Sequence, residues 1–404
     1  MTTHPFPPDL SPTPSALPSG LALRTNTLLA SKIREVSEEG AQMEGVLPLW
    51  FGEGAWPTDP IAVDAAAEAL RAGDHFYHSN RGAPSLRAAI ARYLGALHGK
   101  PVPVERITVS ASGMQGLALV AQALITPGDR VVTLRPAWPN IAETFRIAGA
   151  EIHFEGLEPK DGHWSLDMAR LLSAVTPDTR AVVLNSPHNP TGWVMPEADM
   201  KTLLDHCRKQ GTWIVSDDVY ARLYRHGQVA PSFRALAEEG DRVISINSFS
   251  KAWSMTGWRL GWIDAPEELG APLSMLTEFN MSCTPGFVQA AGAAMLDRGE
   301  SAVATFRARL TEAYTLTSKR LRVLPGVDFI EPDGAFYCFF KVEGMTNSLA
   351  TAKALLHVAQ VGLAPGIAFG EEGEGSLRLC YAQPVEVLER ALDRLAEGLT
   401  LAVR

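Results

Sequence analysis

The chain reads as an α/β protein: a mostly parallel seven-stranded sheet flanked by helices, with a smaller α+β domain. Three observations predict it. Short β-branched runs recur through residues 106–263 with helical stretches between most of them, the order that parallel strands need for their crossovers. Several runs are apolar enough to be covered on both faces. Beyond about residue 294 the texture changes to one long charged helical stretch, a Pro-Asp-Gly turn and an aromatic strand. In order, residues 31–39 have helical spacing with a polar exit, and 61–72 and 85–97 are Ala-, Leu- and Arg-rich helices. Residues 106–110 form a β-branched strand that runs through Ser112-Gly113 into a helix at 114–125. Strands recur at 130–134, 151–154, 181–184, 213–216, 243–247 and 260–263. Then come the helix 302–324, the turn 332–334 and the strand 335–342. This divides the chain into an arm (1–20), a large domain (60–293) and a small domain (21–59 plus 294–404).

With 404 residues and 46% hydrophobic side chains, the chain exceeds one small core and fits two domains or one large domain with an appendage. A net charge of −9 argues against a nucleic-acid partner, which calls for a basic face. No apolar run approaches a membrane span, so no membrane partner is expected. The first twenty residues carry six prolines and no Lys or Arg, and are read as a flexible arm, neither signal nor transit peptide. Cys207, Cys283, Cys338 and Cys380 are far apart with no CxxC pair, which fits core filling in a reducing cytoplasm. The histidines, His78 and His188 included, have no ligand spacing, and no metal is expected.

The run Ser248-Phe249-Ser250-Lys251, followed by Arg259, carries the most chemistry. A lysine forms a Schiff base only when its amine can lose a proton, which burial and a nearby cation favour; Arg259 is read as that cation. The hydroxyls of Ser248 and Ser250 and the guanidinium fork of Arg259 suit a phosphate. Ser112, Gly113 and Met114 lie at a helix N-terminus, where free N–H groups and the helix dipole favour an anion. Two apolar strands also end in polar groups, one at Asn189-Pro190-Thr191-Gly192 and one at Asp217-Asp218-Val219-Tyr220, and strand ends are where α/β sheets build sites. Asp218 faces away from Asp217 by strand alternation and is read as structural.

These motifs, with Arg378 in Ser376-Leu377-Arg378-Leu379, resemble in order and spacing the class I/II pyridoxal-phosphate aminotransferases of the aspartate aminotransferase-like fold type I, from about Ser31 to the C-terminus. The resemblance implies pyridoxal 5′-phosphate as cofactor, with Lys251 as its imine lysine and Asp217 as the partner of its pyridine nitrogen. It places Trp138 on the ring face, and Asn189 and Tyr220 at the ring's 3′ oxygen. It makes Arg378 the grip on the substrate carboxylate, with Gly52 nearby, although Gly54 stands where the family has proline. It also sends Tyr77 into the phosphate site of a neighbouring subunit, so a homodimer with shared sites is expected.

The expected reaction is ping-pong transamination from an L-amino acid to a 2-oxo acid, with Lys251 moving the Cα proton. The same residues would serve a C–S β-lyase, and the fold also occurs as a cofactor-binding sensor domain. In the aspartate-specific branch a basic residue from the segment here numbered 271–287 meets the second carboxylate; this segment has no Lys or Arg. With Trp50, Trp56 and Trp138 near the site segments, an apolar or aromatic donor is favoured, though another cation could substitute.

Overall fold

The computed structural model describes residues 20, 22–25 and 28–403. The arm expected over residues 1–20 lies, apart from Gly20, outside them. Ser31 caps the helix Lys32–Gly40 by accepting from the Arg34 N–H, and Ile33 and Val36 turn into the core. Such a cap contributes about 1 kcal/mol. The chain enters β1 (Leu47–Pro48) and then the helices Pro60–Arg71 and Pro84–His98. Both open on proline, whose missing N–H is not needed there.

The large sheet comprises β2 (Ile107–Ser110), β3 (Arg130–Arg135), β4 (Glu151–Lys160), β5 (His163–Leu166), β6 (Thr179–Asn185), β7 (Trp213–Asp217), β8 (Val243–Ser248) and β9 (Gly261–Asp264). Their spatial order is β2-β9-β8-β7-β6-β3-β4-β5. Strands β4, β3, β6, β7 and β8 are parallel, β9 is antiparallel to both neighbours, and β5 returns antiparallel on β4. Seven of these are the strands read from the sequence. The eighth, β5, is four residues long with Trp164 alone buried, so it carries little apolar signal. Its hairpin turns on Asp161 and Gly162, both at positive φ, and β4 runs on to Lys160 to reach it.

Alternation assigns the two faces. Val131, Val183, Val215, Ile246 and Ile263 pack with Leu117, Val120 and Phe145 of the helices Gly113–Leu124 and Pro139–Ile147. Val132, Val182, Leu184, Ile214 and Trp262 face the other way into the larger core. Each such aliphatic side chain contributes about 1.5–3 kcal/mol by leaving water.

Downstream come β10 (Val327–Asp328), β11 (Tyr337–Val342), β12 (Val361–Gly362), β13 (Ala364–Pro365) and β14 (Ser376–Cys380). The strand β12 pairs in parallel with β1, and the others form an antiparallel sheet in the order β10-β11-β14-β13. The long helix runs Glu300–Leu321, not 302–324, and buries Val303, Phe306, Leu310, Ala313, Thr317 and Leu321 at helical spacing. Helices Ser348–Ala359 and Val385–Ala402 complete this part. The first helix lies on Ser348–Ala359, where Lys353 meets Glu35 at 2.9 Å and Glu39 at 3.3 Å. Leu47 N–H donates to Gln360 O and Leu49 N–H to Gly362 O, each at 2.8 Å. Among the described residues no helix is long and apolar enough to cross a membrane.

Candidate active site

Parallel strands aim their carboxyl ends at one edge. The register sets Asn185 at the end of β6 opposite Asp217 at the end of β7, and Ser248 at the end of β8 opposite Gly261. Residues 31–34 and 51–52 and the strands β11 and β14 close over that edge, enclosing a cavity of ≈ 400 Å3. Every site residue expected from the sequence lines it except Tyr77, which is 89% exposed. Tyr77 therefore joins no site within its own chain.

One end suits a phosphate. Ser112 caps the helix Gly113–Leu124, its Oγ accepting from Gln115 N–H at 3.0 Å. Gly113 keeps the approach open, since a Cβ there would stand 3.2 Å from Val219 Cγ1. Ser248 Oγ accepts from the Ser250 N–H at 2.9 Å, which turns the chain after β8 back toward the helix end. Arg259 sits at φ 55°, a strained setting for a non-glycine residue that recurs at functional sites. Its Nη1 donates to Thr256 O at 2.6 Å, which aims the guanidinium along the cavity wall. Met114 and Trp138 supply apolar lining.

The carboxylates of β7 diverge as alternation requires. Asp218 is enclosed by hydroxyls, accepting from Ser216 at 2.6 Å, Ser232 at 2.9 Å and Ser245 at 2.5 Å, and burial still pushes it up to about 6. It is structural. Asp217 faces the cavity and accepts from Val219 N–H at 3.3 Å; burial, then the negative Asp218, push its carboxyl up to about 7. A buried carboxyl so poorly compensated suits a positively charged nitrogen. Asn189 N–H donates to Asn185 Oδ1 at 2.9 Å, which fixes the turn after β6. Tyr220 shares a 2.7 Å hydrogen bond with the hydroxyl of Tyr337, and burial raises both phenols, so both are neutral at pH 7.

Lys251 faces the same cavity, with Nζ donating to Gly52 O at 2.6 Å and lying 5.6 Å from the Tyr220 ring centre. Burial brings its amine down to about 8; the cation that lowers it further is Arg378. This corrects the sequence reading, which gave that part to Arg259. Eight residues along the chain do not fix direction, and Arg259 is turned to Thr256 O instead. Arg378 is buried, with Nη1 donating to Asn189 Oδ1 at 2.8 Å, Nη2 donating to Trp50 O, and its carbon 4.4 Å from the Tyr337 ring centre. Its Nε is buried without a partner. Gly52 must be glycine, since a Cβ would stand 2.0 Å from the Tyr337 hydroxyl.

Sequence reasoning missed Tyr337, Asn185, Thr256 and the wall formed by Ser31, Ile33 and Arg34. Tyr337 lay in a strand recognised only as aromatic, and its place depends on the pairing that sets it opposite Cys380 beside Arg378. The groups fit pyridoxal phosphate: an amine near neutrality, an under-compensated carboxyl for a ring nitrogen, and hydroxyls, a helix N-terminus and a guanidinium for a phosphate.

Comparison with known proteins agrees. The family model for aminotransferase class I and II matches residues 48–395. An aspartate aminotransferase of Pyrococcus horikoshii is 33% identical over 94% of this chain and 97% of its own. An aromatic-amino-acid aminotransferase of Thermococcus litoralis is 30% identical over 94% and 98%. A solved Thermus thermophilus aspartate aminotransferase tetra mutant complexed with tryptophan superposes with a TM-score of 0.89 at 30% identity, covering 94% of this chain and all of that one.

Proposed function

The chain belongs to the class I and II aminotransferases, and from that premise we propose that its cavity moves the amino group of an L-amino acid with an apolar or aromatic side chain to a 2-oxo acid. The protein is a pyridoxal-phosphate-dependent transaminase. The observation that carries the reading is the placement of Lys251, Asp217 and Arg378 on one ≈ 400 Å3 cavity. When bound, pyridoxal phosphate supplies the electron sink that makes a Cα proton removable.

The residues supply the rest. Asp217, when ionised, would pair with the cofactor's ring nitrogen and keep a proton there. Asn189 and Tyr220 would hydrogen-bond the ring's 3′ oxygen, with the Tyr220 hydroxyl held by Tyr337. Ser112, Gly113, Met114, Ser248, Ser250 and Arg259 would hold the phosphate end, and Trp138 would cover the ring. Arg378 would bind the substrate α-carboxylate and so orient the bonds at its Cα. Lys251 would hold the cofactor, and its amine, once freed by the incoming substrate amine, would take the proton from the substrate Cα as a base and give it up again as an acid. The amino group left behind when the first 2-oxo acid is released with uptake of one water would pass to a second 2-oxo acid with return of that water.

The apolar donor is supported by Ile33, Phe51, Met114, Leu117 and Trp138, which line the cavity. The experiment is a panel of aromatic, aliphatic and dicarboxylic amino acids assayed on the holoenzyme with one fixed oxo acid. Highest kcat/KM with an aromatic or large aliphatic donor is expected. A dicarboxylic donor favoured over all of these overturns the donor assignment, and release of pyruvate and ammonia from a donor would instead mark the C–S β-lyase.

The active unit we read as a homodimer with shared phosphate sites. Tyr77, Phe76 (77% exposed) and Phe279 (87% exposed) are large rings left in water by one chain alone. We infer a division into a large domain at 60–293 and a small one at 21–59 plus 294–404. Four unpaired cysteines favour a reducing cytoplasm.

A further inference from the structure

Four cationic side chains line the active-site cavity: Arg34, Lys251, Arg259 and Arg378. Three of them are engaged. Lys251 donates to Gly52 O, Arg259 to Thr256 O, and Arg378 to Asn189 Oδ1 and Trp50 O. The fourth, Arg34, has no side-chain hydrogen bond or ion pair among the described residues. Its helix is rich in acids, yet their partners lie elsewhere: Glu35 pairs with Lys32 and Lys353, and Glu39 with Lys353 and His357. Glu38, four residues on from Arg34 and so on its face, leaves Oε1 buried without a partner. Arg34 lines the cavity instead of making that i,i+4 pair.

We propose that Arg34 is a specificity residue of the transaminase, taking the distal carboxylate of a dicarboxylic substrate, above all a 2-oxo dicarboxylate acceptor. This rests on the reading of the cavity as the substrate site. Ser31, the cap of the same helix, and Ile33 of its first turn line the cavity beside it, so the positive end of the helix dipole adds to the guanidinium. Asn140 lines the cavity from the helix that follows Trp138 and offers an amide donor. Arg34 is itself exposed, so it carries its charge without a desolvation penalty until a carboxylate arrives. The two ends of a dicarboxylate would then be held by two guanidiniums, Arg378 for the α-carboxylate and Arg34 for the distal one. A monocarboxylic substrate leaves Arg34 in water at little cost and lays its side chain on Ile33, Phe51, Met114 and Trp138. One cavity thus serves an apolar donor and an acidic acceptor in alternate half-reactions.

The test compares 2-oxoglutarate with pyruvate as acceptors for wild type, Arg34→Gln and Arg34→Lys holoenzymes, using whichever donor the panel above selects. Failure of the aromatic-donor reading therefore leaves this test intact. Arg34→Gln should lower the ratio of kcat/KM for 2-oxoglutarate over pyruvate by about tenfold, through KM and not kcat, as loss of one charge-assisted pair predicts. Arg34→Lys, which keeps the charge and loses the fork, should recover part of the ratio. Equal losses on both acceptors would make Arg34 a structural residue and overturn the proposal. So would an unchanged ratio, or a wild type that prefers pyruvate.

Discussion

Asp217 and Lys251 titrate closer to neutrality than free side chains because both are buried, and each shift has a measurable consequence. Asp217 stands near 7 in the folded chain against an ordinary 3.8, so between those values the folded state binds the extra proton. Its contribution to stability is complete below about pH 4 and is lost as pH rises through 7. The cofactor-free protein should melt at lower temperature at pH 8 than at pH 5. Asp217→Asn should flatten that slope without abolishing it, since Asp218, raised to about 6, acts in the same sense; a slope unchanged by the substitution would contradict the assignment. Lys251 behaves in the opposite sense: its amine, near 8, becomes neutral as pH rises. The rate at which cofactor-free protein captures pyridoxal phosphate should therefore climb through about pH 8, and Arg378→Gln should move that midpoint upward by removing a cation. A midpoint that stays put would mean that burial alone sets the amine. Asp217, Lys251 and Arg378 were legible in the sequence because each has one chemical reason to stand in its motif. The cation beside Lys251 was not, because direction in space follows from the left-handed turn at Arg259 and not from its distance along the chain.

Elements carry these residues to one place by register and by close approach. The stretch Trp50-Phe51-Gly52 runs under Tyr337 of β11, with a glycine at the contact because any Cβ would lie 2.0 Å from the phenol oxygen. Gly52→Ala should cost about 1–3 kcal/mol in denaturant unfolding by overpacking. It should also weaken substrate binding, because Gly52 O receives the Lys251 amine. The double variant Gly52→Ala with Tyr337→Phe should recover part of both losses; no recovery would place the strain elsewhere. The central strands were readable because β6, β7 and β8 are almost wholly buried, with the apolar runs Ala181-Val182-Val183-Leu184 and Trp213-Ile214-Val215 in the first two and Val243-Ile244 with Ile246 in the third. The strand β5 was not, having one buried side chain in four. Tyr337 belongs to the same lesson. The strand was recognised by its aromatic content, but its register against β14, which brings it to Arg378, is a tertiary fact.

At the scale of the molecule, the sheet edge is one half of the site and the segment from Ser31 to Gly52 with β11 and β14 is the other, so catalysis depends on both being held together. The dimer reading predicts complementation. In a mixed dimer of Tyr77→Ala and Lys251→Ala chains, one of the two sites has an intact lysine and an intact partner tyrosine. That dimer should bind cofactor at one site with wild-type affinity, and failure to do so would exclude a shared phosphate site. The central claim is that Lys251, opposed to Asp217 across one cavity, moves the Cα proton in transamination. It is tested most directly by adding a single amino acid, without any oxo acid, to wild-type and Lys251→Ala holoenzymes and following cofactor absorbance together with the released product. Wild type should lose the imine band and release one equivalent of the matching 2-oxo acid per site, while Lys251→Ala should be slower by on the order of 10²–10⁴-fold. Matching rates for the two proteins, or an imine band in wild type that no amino acid converts, would contradict it.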